Sequence, residues 1–259
     1  MKQISSSTHP LVKHLVRLQS DRSYRHTAKK VVVEGKNLLL DLLPRHKPVQ
    51  LIMTEKQLPT FEKFGGEIVL ISDQIASKIS SVEEPEGCFA EYALPEYPFP
   101  NVKTALVLDG LQDPGNVGTL LRTCLAFDVR TVFLIEPCCD PWNPKTIRAA
   151  KGAQFDLALC SCTFEQLPPS IPLFVADLQG TDLRTVAPPS SWILVLGNEA
   201  HGHHVPQSLH PTHLTIPMSG PMESLNVAQA GAIFLYALTP TSQRLPLSDT
   251  KNFLIDTVS

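Results

Sequence analysis

The chain has 259 residues, 43% hydrophobic and 18% charged, with a mean hydropathy of +0.02; that is enough chain for one large domain or two small ones with a buried core, and it excludes wholesale disorder. No apolar run approaches the ~18 residues of a membrane-spanning helix, and six cysteines are too sparse for a disulfide scaffold. Net charge is −3, yet residues 1–60 hold 11 Lys and Arg against 4 Asp and Glu while residues 61–259 hold 11 against 21, an asymmetry that suggests a phosphate-binding arm ahead of an acidic body.

The predicted elements alternate along the chain. The first 27 residues are basic and Ser-rich with no acid before Asp21, as in a transit peptide. Leu11, Leu15 and Leu18 nevertheless recur at helical spacing beside Val12, which predicts a retained amphipathic helix over 9–20. With no signal peptide, the expected compartment is reducing and cytoplasmic. A strand at 31–35, a helix at 36–43, strands at 50–54 and 67–71 and a short helix at 73–79 complete a small α/β unit, residues 1–84. Residues 85–102 begin PEGCFAEYALPEYPFP and read as a linker with one strand-like piece. The second unit, 103–259, holds a strand at 104–109, a helix at 116–127, a strand at 131–135 and a helix starting near Pro144. Strands at 173–177, 193–197 and 213–217 follow, then a helix at 224–238. Short β-rich runs separated by helices predict a mostly parallel sheet with helices on both faces.

Ligands of such sheets bind beyond the carboxyl ends of the strands, where three loops, 109–118, 197–204 and 217–226, are Gly-rich or polar. In the first, Gly110, Gly115 and Gly118 have the spacing of neither a Walker A loop nor a dinucleotide fingerprint. Asn116 is there as a helix N-cap or a ligand group, and Arg122 as a paired structural ion or a ligand group. In the second, Gly197 and Gly202 bracket Asn198 and Glu199. The histidines at 201, 203 and 204 lack an H-E-x-x-H pattern and stand about forty residues from Cys160 and Cys162, so they are expected to face solvent and no metal is expected. In the third, Pro217, Gly220 and Pro221 precede Glu223, Ser224 and Asn226, which open a helix of small residues suited to a tight interface; Ser224 is its candidate N-cap.

In sequence order, LVLDGLQDPGNVGTLLRTCLAF (106–127), ILVLGNEAHG (193–202) and LTIPMSGPMESLNVAQAGAIFLYAL (214–238) resemble the three motifs of the SpoU/TrmH-type RNA 2′-O-ribose methyltransferases of the SPOUT superfamily. NPKTIRAAKGA (143–153) is similar to the segment between the first two motifs. HPLVKHLVRLQ (9–19) and VVVEGKNLLLDLL (31–43) are similar, less specifically, to the ribosomal-protein-like substrate-binding domain often joined to this catalytic domain.

The resemblance implies an α/β fold whose C-terminal part is threaded into a trefoil knot, a homodimer whose active sites draw on both subunits, and S-adenosylmethionine as cofactor. It implies cofactor contacts from Gly197, Ile216 and Leu225, with Met218 nearby, and a catalytic set of Asn116, Arg122, Glu199, Ser224 and Asn226. RNA phosphate contacts would come from Arg17, Arg22, Arg25, Lys29 and Lys30. The implied activity is methyl transfer to a ribose 2′-hydroxyl, on ribosomal RNA in preference to transfer RNA. Ala150 and Ala228 depart from a common Ser and Asp128 from a frequent Gly, all outside the catalytic set. Two other classes stand as alternatives. One is a nicotinamide-dependent oxidoreductase, with Glu136, 21 residues after Gly115, on a ribose; the glycine spacing speaks against it. The other is a non-catalytic RNA-binding protein, against which the retained Asn116, Arg122, Glu199 and Ser224 speak.

Overall fold

The computed structural model of the protein describes residues 2–198 and 202–240. Its first sheet contains β1 (Lys2–Ile4), β2 (Lys30–Glu34), β3 (Gln50–Met53), β4 (Ile68–Ile71) and β5 (Cys88–Ala93), in the order β1-β4-β3-β5-β2. Side chains alternate across a strand. Val31, Val33, Leu51 and Met53 therefore enter one core and Val32, Ile52 and Phe89 another. Helices α1 (Pro10–Ser20) and α5 (Asp73–Ile79) cover the second core, and α3 (Lys36–Leu42) and α4 (Leu58–Phe61) the first. The short α2 (Arg22–Ala28) follows α1, capped by the Asp21 side chain on the Tyr24 N–H.

The stretch read as a linker with one strand-like piece holds a strand of the first sheet. Strand β5 lies inside 85–102 and pairs antiparallel with both β2 and β3, so the connection between the two units shortens to 94–103. At the centre of β5 is Glu91, a charge that is fully buried. It accepts from Lys30 Nζ at 2.7 Å, from His14 Nε2 at 3.0 Å and from Gln50 Nε2. Burial pushes this carboxyl upward, but the Lys30, His14 and Gln50 bonds together outweigh it and hold the group below its usual value of 4.5. A carboxyl depressed in the folded state stabilises above its unfolded value, and that contribution drains as pH falls through the folded one. The stability gap between the wild type and Glu91→Gln is therefore expected to be full above pH 4.5 and to close below it. Urea midpoints across the acid range measure this.

The second sheet is parallel throughout, in the order β11-β9-β10-β6-β7-β8. Its strands are β6 (Thr104–Asp109), β7 (Thr131–Ile135), β8 (Ala158–Ser161), β9 (Leu173–Asp182), β10 (Trp192–Leu196) and β11 (Thr212–Thr215). Leu106 and Leu108 face a core shared with α6 (Pro114–Ala126) and α8 (Val227–Leu238), while Ala105 and Val107 face the opposite way. That opposite face is closed by Val102, Phe164, Leu167 and Val205 from loops and 3₁₀ turns, a shallower cover than the helices expected there. Helix α7 (Pro144–Ala150) packs beside α6. Gly231 lets α8 lie against α6 and β10, since a Cβ there would sit 2.3 Å from Leu120 Cδ2 and 2.7 Å from Leu196 Cδ1.

The two units share apolar packing. Trp142, Ile147 and Phe155 of the second unit belong to the same buried cluster as Leu39, Leu42 and Tyr92 of the first. Ion pairs flank this seam: Arg25 with Asp140, Arg22 with Glu136 and Arg45 with Asp156. Among the described residues, no helix is long and apolar enough to cross a membrane.

Candidate active site

The carboxyl ends of β6, β10 and β11 bring the three loops together. Buried Asp109, the last residue of β6, accepts the His204 N–H at 2.5 Å, and Asn198 Nδ2 donates to the Gly110 carbonyl at 2.9 Å. The first loop also meets the third, where Asn226 Nδ2 donates to Asn116 Oδ1 at 3.0 Å. Two expected caps are corrected here. Helix α6 starts at Pro114 and is capped by Asp113, whose carboxylate accepts the Asn116 N–H at 2.8 Å. Helix α8 starts at Val227 and is capped by Asn226, not Ser224, through the Ala228 and Gln229 N–H groups. Both corrections free a polar side chain from helix-capping duty: the Asn116 amide faces Asn226, and Ser224 lines a cavity.

That cavity has a volume of ≈ 310 Å³, within the range of small-molecule sites. Gly197, Ile216, Met218 and Leu225, the four expected cofactor contacts, all lie on its wall with Ser224. Leu196, Val227, Ala230 and Phe234 supply an apolar side, and Asn198, Thr215 and Asp177 polar groups. The loop after β10 is shaped by a close backbone crossing. A Cβ on Gly197 would sit 2.4 Å from the Gly202 carbonyl oxygen and 2.8 Å from the His203 nitrogen. Since both neighbours are backbone, no side-chain rotation relieves such a clash.

Arg122 differs from its expected pose. It does not fold back to the strand ends: it is exposed on α6, outside the cavity wall, and its side chain forms no hydrogen bond or ion pair with the described residues. Glu199 and His201 lie outside the described residues. His204 is exposed as expected, but His203 is half-buried on the cavity wall, near Asp177 and His213. Sequence reasoning missed that grouping, because its members come from three separate segments.

Among the basic candidates, Arg25 is overturned as an RNA contact. It is 2% exposed and held by Asp140, with Nη2 at 2.6 Å and Nε at 3.0 Å from the same oxygen. Lys30 is committed to buried Glu91. Arg17 is exposed, stacked 3.8 Å over the Tyr24 ring. Exposed Lys29 pairs with exposed Glu96 at 2.5 Å. Arg22 pairs with Glu136 at 2.5 Å, both about half exposed. That pair also engages the acid that an oxidoreductase would need for a ribose.

Comparison with known proteins accords with this layout. The profile of the SpoU rRNA Methylase family matches residues 103–236, and that of the MRM3-like substrate binding domain matches residues 9–90. An uncharacterized tRNA/rRNA methyltransferase of Synechocystis is 31% identical over 256 residues, covering 90% of this chain and 92% of the relative. The 23S rRNA (guanosine(2553)-2′-O)-methyltransferase RlmP of Bacillus subtilis is 30% identical over 248 residues, covering 92% and 99%. Among solved structures, an AdoMet-bound rRNA methyltransferase of Sinorhizobium meliloti superposes with a TM-score of 0.78 at 26% identity, covering 92% of this chain and 97% of that one. With the first profile spanning more than half of its length, the chain belongs to the SpoU rRNA methylase family.

Proposed function

We propose that the protein transfers the methyl group of S-adenosylmethionine to a ribose 2′-hydroxyl of ribosomal RNA, and that it works as a homodimer. The observation that carries this reading is one cavity whose wall joins Gly197, Ile216, Met218, Ser224 and Leu225 from loops far apart in sequence. The names of the Bacillus subtilis relative and of the Sinorhizobium meliloti structure supply the reaction and the cofactor. The knotted threading is part of the same reading, and the tight backbone crossing at Gly197 is the kind of contact it requires.

The residues present fit the cofactor. Gly197 and the apolar side formed by Leu196, Val227 and Ala230 make a smooth wall for a flat ring. Asn198, Thr215 and Ser224 offer hydrogen-bonding groups for a ribose and an amino-acid end. When bound, S-adenosylmethionine supplies an electrophilic methyl group on a sulfonium. The chain's task is to align that group with the sugar oxygen and exclude water, which is worth up to about 7–11 kcal/mol in favourable cases.

Arg122 offers a planar guanidinium whose fork of donors matches a phosphate. We assign it to the RNA phosphate beside the reacting sugar and to the alkoxide charge that develops there. Because it lies outside its own chain's cavity wall, we assign it to the partner's site. The outward row of α6 is Thr119, Arg122 and Ala126, and that of neighbouring α8 is Gln229, Ile233 and Tyr236. Exposed Ile233 and Tyr236 give this face the apolar content of an interface.

Incubation of ribosomal RNA with labelled S-adenosylmethionine and the protein, followed by mapping of 2′-O-methylation, tests the reading. Methylation of transfer RNA alone would replace the substrate, and no methylation of either would remove the activity. A thermal-shift series tests the cavity. S-adenosylhomocysteine is expected to raise the melting temperature of the wild type and NAD to leave it unchanged. Gly197→Ala is expected to lose the S-adenosylhomocysteine response.

RNA affinity is assigned to the cations that remain exposed, Arg17, Arg22 and Lys29. Arg17→Glu with Lys29→Glu is expected to weaken RNA binding and to lower the slope of log K against log salt by about 0.7–0.9 per lost phosphate contact. Filter binding at several salt concentrations reads the slope; an unchanged slope places the RNA on another surface.

A further inference from the structure

We infer that Asp177, His203 and His213 form a binding site for a borderline divalent transition ion, Zn²⁺ or a like metal, at the edge of the cavity. The three ligand atoms lie within 4.8 Å of one another, and all three residues are half-buried. His213 Nδ1 stands 2.8 Å and His203 Nε2 3.6 Å from the same carboxylate oxygen, Asp177 Oδ2. Two ligands of a tetrahedral zinc are separated by about 3.3 Å, given metal–ligand bonds of about 2.0–2.1 Å, so the observed distances bracket what the ion needs. Two imidazoles and one carboxylate suit zinc or cobalt, whereas magnesium and calcium take oxygen ligands. Three protein ligands are also the number that an open zinc site uses, leaving a position for water or an entering group.

Local structure positions each ligand. The pairing of β9 with β11 is regular through Val175↔His213 and resumes at Thr181↔Leu214, so five residues of β9 swing out between two consecutive residues of β11. Such bulges re-aim side chains, and Asp177 is on this one. Its other oxygen accepts the Gln179 N–H at 3.2 Å, which leaves Oδ2 for the imidazoles. His203 is set by the crossing of its loop over Gly197. Metal binding has a cost: Nδ1 of His203 accepts the Val205 N–H at 3.4 Å, and coordination through Nε2 moves the ring proton to Nδ1, which opens that long contact.

Asp177 and His203 also line the cavity. On the methyl-transfer reading, ion and cofactor share a wall and must alter each other's affinity by one common factor. The site itself does not depend on that reading.

Titration of the chelator-treated full chain with Co²⁺, without cofactor, tests the site and leaves the methyl-transfer reading untouched if it fails. The expected result is one ion per chain with tetrahedral visible absorption, displaced by Zn²⁺. Loss of a supporting partner already costs metal sites about 10–100-fold in affinity, so His213→Gln is expected to lose at least that much. His204→Gln, an exposed neighbour, is expected to bind as the wild type does. Asp177→Asn serves in place of His213→Gln if that variant does not fold. Absence of saturable one-to-one binding, an octahedral spectrum with several ions per chain, or undiminished affinity in the ligand variants would overturn the inference.

Discussion

Replacing Arg122 by alanine is expected to slow methyl transfer by about 10²–10³-fold, the cost of removing one preorganised group that stabilises developing charge. S-adenosylhomocysteine affinity should stay within about twofold of the wild type, since the group removed is assigned to the RNA phosphate and the developing alkoxide and not to the cofactor. Arg122 is exposed and absent from the cavity wall, so its removal should not disturb the cofactor. Arg122→Lys keeps the charge but loses the planar fork and should recover part of the rate. Subunit mixing decides which chain supplies the arginine. Gly197→Ala disables the cavity and Arg122→Ala the cation. In equal mixture, half the dimers are hybrid. If Arg122 acts across the interface, each hybrid has one intact site and activity returns to about a quarter of wild type. If it acts within its own chain, both hybrid sites are dead and the mixture stays inactive.

The parts of this molecule legible in its sequence are those held by apolar periodicity. Strands β6, β7 and β10 and helices α1 and α5 fall within a residue or two of expectation, because each carries an uninterrupted run or stripe of buried aliphatic residues. The parts that escaped depend on charge. Helix α2, RSYRHTA, has no apolar stripe; its one buried residue is Arg25, and its order comes from the Asp21 cap and the pair with Asp140. Strand β5 is legible only as a strand-like piece of a linker, and its central place in the sheet shows once Lys30, His14 and Gln50 are seen around Glu91. Edge strands β1 and β8 have three and four residues, too few for a period to register. The candidate site divides in the same way. Its glycine and polar loops stand at strand ends and were readable there. The N-caps Asp113 and Asn226 stand two or three residues from the candidates Asn116 and Ser224, which are equally good cap residues by type. The meeting of Asp177 with His203 and His213 depends on a bulge that only the paired strands reveal.

The same dependence on charge fixes how the two units dock, and Arg25 gives that docking its largest expected effect on stability. Both side chains of the Arg25–Asp140 pair are almost fully buried. Nη1 of Arg25 also donates to the Leu18 and Gln19 carbonyls at 2.7 and 3.2 Å, while Asp140 Oδ1 accepts the Trp142 N–H at 3.0 Å. Arg25→Ala would strand a buried carboxylate and two carbonyls at once. Breaking a buried pair from one side typically costs about 3–5 kcal/mol, and urea unfolding of this variant is expected to show a loss of that size. Arg25→Met with Asp140→Leu leaves no unpaired charge and should lose less than either single change, because the desolvation penalty leaves with the pair. Trp142 and Phe155 remain in the first unit's core in every variant, so partial docking should survive and one broad transition is expected where the wild type has one sharp one. A loss below about 1 kcal/mol in Arg25→Ala, the scale of an exposed pair, would mean that apolar packing alone holds the units together, and the basic arm would then owe its placement to Trp142, Ile147 and Phe155.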